Sequence, residues 1–341
     1  MRYLLPSLLL AATPVQAFAQ DTVQADGAAY LDEALDVLQA RHYLSEQADW
    51  SQLREDAADM LEAEGGDIAA ARVAISEVIE RLGERHSFLR PARPMTAGPT
   101  PRRAEESGGN TQTPAEIGQV PVWRAVDGGI GYAVLPGLDM REGGQEYAAA
   151  YHAELREALQ EMGPEARCGW IIDIRGNTGG NMWPMLWGLD PLLGEGPFGY
   201  FISKEKRIPW VRGGPDAEAP ILADTETRYP QAPAFAIDNA DRPVAVLLGS
   251  ATVSSGEMVA LALAGREDVA FFGEPTGGLT TANVTHRMPD GASLVVTVSR
   301  VAGRDGEIVT GPLQPDFPST GEQAPYEARD WLLEQCAFTG Q

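Results

Sequence analysis

Apolar positions recur at helical spacing through the first quarter of the chain. Tyr30, Leu31, Ala34, Leu35, Val37 and Leu38 fall on one face, Trp50 to Leu61 repeats the theme, and Asp67 caps an apolar stripe over Ile68–Leu82. The pattern predicts a small three-helix bundle ending in Gly83-Glu84-Arg85-His86-Ser87-Phe88-Leu89. Between 92 and 119 the period is lost among Pro94, Pro99, Pro101, Gly108, Gly109 and Pro114, which reads as a linker. From Val122 onward the period alternates. Strands are predicted at Ile130–Leu135, Gly169–Ile174, Val244–Leu248 and Val269–Phe272, with helices at Gln145–Leu159, Asn181–Leu193, Ser254–Ala264 and Tyr326–Gln335. The continuous apolar runs are those of strands buried on both faces. Two further runs, Ala282–Met288 and Ser293–Val301, flank Asp290-Gly291 and predict a hairpin. Residues 204–243 show no clear period and read as an irregular insertion, either a lid over a cleft or ordered surface. The expected fold is α/β, with a largely parallel sheet.

Arg2, the apolar stretch Leu4–Ala12 and Ala17-Phe18-Ala19 have the form of a secretory signal cleaved after Ala19. The apolar stretch is shorter than the ~20 residues a membrane-spanning helix needs. The expected organisation is therefore a signal peptide at 1–19, a helical domain at 20–92, a linker at 93–119 and an α/β domain at 120–337, in a protein of the periplasm or the exterior. Its formal charge of −23 argues against nucleic-acid and anionic-membrane partners. Cys168 and Cys336 either pair or remain separate buried thiols, and two cysteines with four histidines make a structural zinc site improbable.

Two segments carry candidate chemistry. The strand Val244–Leu248 runs through Gly249-Ser250-Ala251-Thr252-Val253-Ser254-Ser255-Gly256-Glu257 into a helix, placing a hydroxyl beside the free N–H groups of a helix start. Taken alone, Ser254 or Ser255 could equally be an ordinary N-cap. The second segment, Asp173-Ile174-Arg175-Gly176-Asn177-Thr178-Gly179-Gly180-Asn181, is a glycine-rich turn after a buried strand. It lacks the Gly-Lys-Ser/Thr of a phosphate loop, which leaves a ligand-approaching turn or a plain tight one.

Together with Gly273-Glu274-Pro275-Thr276 and the late Gly311-Pro312-Leu313-Gln314-Pro315-Asp316, these segments resemble the C-terminal processing (tail-specific) serine protease family over roughly residues 120–320. The resemblance implies a crotonase/Clp-protease-like layered catalytic domain, here without a PDZ-like insertion. It makes Ser254 the nucleophile of an acyl-enzyme peptidase. The oxyanion hole is then the Ser255 N–H together with Gly179, Gly180 being the second choice. Most of that family uses a lysine base at a position that falls near Leu279, and the only lysines here are Lys204 and Lys206. Leu82–Phe88 instead resembles the histidine segment of the tricorn-like branch, which makes His86 the general base. His286 is its competitor, while His42 and His152 are expected on solvated helix faces. For the orienting acid, Glu307, Glu274 and Ser87 remain open, because the family position falls near Val309 or Thr310. No cofactor or metal is implied. The expected partner is a peptide or unfolded protein, and oligomeric state is left open. The alternative is a noncatalytic binder of hydrophobic ligands on the same fold, with Trp183, Trp187, Trp210, Phe198 and Tyr200 around its pocket. An esterase, a third reading, lacks the Gly-x-Ser-x-Gly elbow, since Thr252 takes the first glycine position.

Overall fold

A computed structural model describes residues 26–92, 120–139, 144–203, 206–211 and 235–339. The expected signal peptide, the linker 93–119, Lys204 and most of the irregular insertion lie outside the described residues.

Three helices come first among the described residues: α1 (Gly27–Arg41), α2 (Trp50–Ala63) and α3 (Ile68–Arg81). Each begins at an aspartate, Asp26, Asp49 or Asp67, whose side chain accepts a backbone N–H of the first turn. The strand β1 (Phe88–Arg90) follows. Then come β2 (Val122–Val126), β3 (Ile130–Val134), α4 (Gly144–Met162), β4 (Gly169–Asp173), α5 (Met182–Gly188), α6 (Asp190–Leu193), β5 (Tyr200–Ser203) and β6 (Lys206–Pro209). The last third holds β7 (Val244–Leu248), α7 (Ser255–Leu263), β8 (Val269–Gly273), β9 (Thr281–Arg287), β10 (Ser293–Ala302), β11 (Ile308–Val309), β12 (Phe317–Pro318) and α8 (Ala324–Thr339).

Among the described residues the strands form two six-stranded sheets. One has the order β12-β8-β7-β4-β3-β2, parallel throughout except for the edge pair β2–β3. Its strands divide their side chains by the period of two. In β7, Val244, Val246 and Leu248 enter the main core under α4, α5 and α7. Ala245 and Leu247 face the opposite side, where Ala324, Ala328 and Leu332 of α8 cover them. Every residue of α7 is buried, which explains a helix that is apolar nearly all round. The disulfide Cys168–Cys336 ties α8 to the entry of β4.

The second sheet is antiparallel and centred on β10, which pairs with β1, β5, β9 and β11, with β6 beyond β5. It corrects the expectation of one largely parallel sheet with a hairpin attached. The hairpin β9–β10 forms as predicted, but Lys206–Pro209, read as irregular, pairs with Tyr200–Ser203. Phe88–Arg90, read as the tail of the helical segment, joins β10. Through this sheet the apolar core runs without a break from α1–α3 to the parallel layer.

Candidate active site

The parallel strands β4 and β7 end side by side, and the turns that follow them are locked together. Thr252 Oγ1 donates to the Ile174 carbonyl at 2.8 Å and accepts the Gly249 N–H, while Val253 N–H donates to the Asn177 carbonyl at 3.0 Å. Asp173, at the end of β4, grips Arg175 through both carboxylate oxygens and accepts the Tyr132 hydroxyl at 2.6 Å. Arg175 holds its carboxyl below the usual range despite burial, and Arg175 also reaches the Gly321 carbonyl ahead of α8.

Ser254 stands between β7 and α7 with φ 53° and ψ −119°, a left-handed conformation that a non-glycine residue adopts at a cost of roughly 1–3 kcal/mol. Glu257, one turn into α7 and fully buried, accounts for how it is held. Its carboxylate accepts the Ser254 N–H at 3.0 Å, the Thr276 hydroxyl and the Gly278 N–H at 2.9 Å. Burial nonetheless pushes the Glu257 pKa upward. One side chain thus fastens both the serine backbone and the loop between β8 and β9, whose Gly277 N–H also donates to the Thr252 carbonyl.

The glycine turn approaches the serine from the other side. A Cβ added to Gly179 would lie 3.4 Å from Ser254 Oγ, and Ser255 Oγ donates to the Gly180 carbonyl at 2.7 Å. Asn177 shapes this turn from a buried position. Its Oδ1 accepts the Gly179 N–H at 3.0 Å and its amide donates to the Leu135 carbonyl. The Gly179 N–H is therefore spent within the turn. The N–H groups of Gly180 and Ser255 have no acceptor among the described residues, and Gly180 is exposed.

His86 lies where the helical segment meets β10. Its Nδ1 is 2.7 Å from Thr281 Oγ1, and its carbonyl accepts from Asn283 at 2.9 Å. Nε2 has no hydrogen-bond partner among the described residues. Burial pushes its pKa down to about 4, opposed by the charge of Glu84. Glu84 organises the segment: its carboxylate accepts the N–H groups of His86 and Ser87, the Thr297 hydroxyl and His42 Nε2. These bonds outweigh desolvation and hold its carboxyl down to about 2.

The other candidates are placed elsewhere. His286, five residues along β9 from Thr281, faces α1 and pairs with Glu33 at 2.8 Å. His42, expected on a solvated face, is buried at the end of α1, and His152 is half-buried with its pKa lowered by burial. Glu307 is exposed in the turn between β10 and β11, Glu274 is exposed, and buried Ser87 bonds Thr297 rather than His86. Leu279, at the position of the family lysine, presents its backbone N–H to Glu257. Lys206 is exposed on β6. Phe198 and Trp210, offered as pocket lining, are packed into the core. Thr281 was missed because a threonine opening a strand has no signature of its own. Only the fold brings it to a ring 195 residues away.

The model of peptidase family S41 matches residues 129–319, a span that includes the two locked turns, Ser254 and Thr281 but begins after His86. The nisin-resistance protein of Lactococcus lactis subsp. lactis is 32% identical over 171 residues, which are 49% of this chain and 50% of that protein. Carboxy-terminal processing protease CtpA of Bacillus subtilis (strain 168) is 27% identical over 154 residues, 45% of this chain and 29% of that protein. The chain thus spans half or less of the length of these curated relatives. A lipoprotein from Streptococcus agalactiae shares the fold, with a TM-score of 0.68 at 23% identity over 96% of this chain and 100% of that one.

Proposed function

The chain belongs to peptidase family S41, and from that premise we propose that it is an exported serine endopeptidase acting through an acyl-enzyme on Ser254. The observation that carries the reading is a pair of backbone N–H groups, on Ser255 directly after a serine in strained backbone and on Gly180, whose carbonyl accepts the Ser255 hydroxyl; neither N–H has an acceptor among the described residues. Two such donors can hold the oxygen of a tetrahedral intermediate. Because Asn177 occupies the Gly179 N–H, Gly180 takes the place first given to Gly179.

In the proposed cycle Ser254 Oγ attacks the peptide carbonyl and His86 Nε2 takes its proton. The proton passes to the leaving amine as the C–N bond breaks. Water, deprotonated by the same imidazole, then hydrolyses the ester and restores the serine. His86 is connected to the serine through the loop between β8 and β9: Glu257 anchors that loop beside Ser254, and the strand it leads into begins at Thr281, against the imidazole. Helical residues 20–92 supply the base in this scheme, the linker 93–119 follows, and residues 120–337 supply nucleophile and oxyanion donors. Export is supported by the form of residues 1–19 and by the Cys168–Cys336 disulfide, which suits an oxidising compartment.

The test is digestion of a reduced, alkylated casein by the mature protein, followed by mass spectrometry of the fragments. Nisin belongs in the same panel because one relative is named for resistance to it. Cleavage by wild type that is lost in Ser254→Ala supports the reading. Intact substrates after incubation with folded wild type would refute it.

A further inference from the structure

A histidine base acting through Nε2 needs its other nitrogen held, so that the ring keeps one tautomer and one orientation. In a serine–histidine–acid arrangement a carboxylate performs this task. Among the described residues no carboxylate hydrogen-bonds the His86 ring; the side chain at Nδ1 is Thr281, at 2.7 Å. Glu84, whose charge acts on the ring, spends its oxygens on the His86 and Ser87 N–H groups, His42 and Thr297. The Thr281 backbone is fixed as well, since it opens β9 opposite Arg300 of β10, directly after the loop anchored by Glu257.

We infer that Thr281 is the positioning residue of His86, its hydroxyl standing beside Nδ1 in the place a carboxylate would take. The inference rests on His86 being the base. A hydroxyl oxygen accepts from Nδ1–H in both the neutral ring and the imidazolium, so Nε2 stays free for the Ser254 proton throughout the cycle. A hydroxyl brings no charge. It orients the ring without raising its proton affinity, and the ring remains a weak base that is neutral well below pH 7. The charged group facing the imidazole among the described residues is Glu84, on the chain segment of His86 itself; the β9 neighbours Thr281 and Asn283 are uncharged.

The experiment is the pH dependence of the second-order rate of labelling by a fluorophosphonate, for wild type and three variants whose thermal midpoints are measured alongside. Thr281→Val removes the acceptor and should label about tenfold more slowly at pH 7. Thr281→Ser restores a hydroxyl and should recover most of that rate. Thr281→Asp places a charge beside the ring and should move the acidic limb upward by about one pH unit or more, because a nearby anion favours the imidazolium. That displacement reads whether residue 281 faces the His86 ring, and the loss in Thr281→Val with recovery in Thr281→Ser reads whether its hydroxyl positions the ring. Folded Thr281→Val with the wild-type rate, or folded Thr281→Asp with the wild-type limb, overturns the inference while leaving Ser254 and His86 in place. Wild type that does not label, or His86→Ala that labels normally, defeats the underlying reading, and the role of Thr281 falls with it.

Discussion

Gly179 and Ser254 stand in such close apposition that a Cβ built on the glycine would lie 2.9 Å from the serine Cβ. The glycine also has φ +92°, in the left-handed region that side chains avoid. Gly179→Ala should therefore displace the serine or distort the turn, lowering stability by about 1–3 kcal/mol and activity at least tenfold. Gly176→Ala, three residues earlier, adds a Cβ that meets nothing within 4 Å and should cost far less. Urea unfolding and fluorophosphonate labelling of the two variants make the comparison.

The buried carboxylate of Glu257 fastens the Ser254 N–H and the loop that precedes Thr281. Glu257→Gln keeps the volume but turns an NH2 toward donors, leaving at least one of them unpaired. The expected loss is about 1–3 kcal/mol of stability, with labelling reduced further than the residual folded fraction explains. Glu257→Ala should be worse on both counts.

His86 has its pKa lowered to about 4 by burial, so at pH 5–7 the ring is neutral and competent as a base. The acidic limb of kcat/KM should then fall near pH 4, well below the pH 6.5 region of an unperturbed histidine. A peptidase assay between pH 3.5 and 8 reads this directly; a limb at or above 6.5 would mean that the imidazole is less buried in solution.

Glu84 has a folded-state pKa of about 2 against 4.5 unfolded. A carboxyl lowered in this way contributes stability that is complete above pH 4.5 and is lost as the pH falls toward 2. Allowing for solvent screening, the contribution is up to about 2 kcal/mol. Denaturant melts at pH 7 and pH 3 should show a larger acid loss for wild type than for Glu84→Gln, which has no such proton to take up.

The Cys168–Cys336 disulfide closes a long loop and holds α8 over one face of the parallel sheet. The double Cys→Ser variant should lose about 2–4 kcal/mol of stability. It should still label at Ser254, because Cys168 stands before β4 and the glycine turn follows the other end of that strand.

Much of this arrangement was legible in the chain because it depends on local pattern. Val244–Leu248 and the β9–β10 hairpin announce themselves by apolar runs and by Asp290-Gly291. Ser254 and the glycine turn sit at strand ends that any reading of the parallel layer would mark. The antiparallel sheet was harder to see. Phe88–Arg90 is short and becomes a strand only by pairing with β10, far from it in sequence; Lys206–Pro209 pairs with its neighbour β5, but four residues holding two cations and a proline carry no strand signal of their own. The role of Asn177 was hidden for a similar reason, since no spacing shows that its side chain takes the Gly179 N–H and leaves that of Gly180. His42 looked solvated because a histidine at a helix end usually is; its burial depends on Glu84, 42 residues away.

Whether Ser254 is an activated nucleophile is read from the intact mass of the protein after incubation with a fluorophosphonate. Attack by Ser254 Oγ on phosphorus expels fluoride and leaves a stable phosphonate ester. One adduct per wild-type chain is expected, mapped to Ser254 and absent from both Ser254→Ala and His86→Ala. Folded wild type with no adduct, or an adduct that persists in Ser254→Ala, would contradict a nucleophilic Ser254.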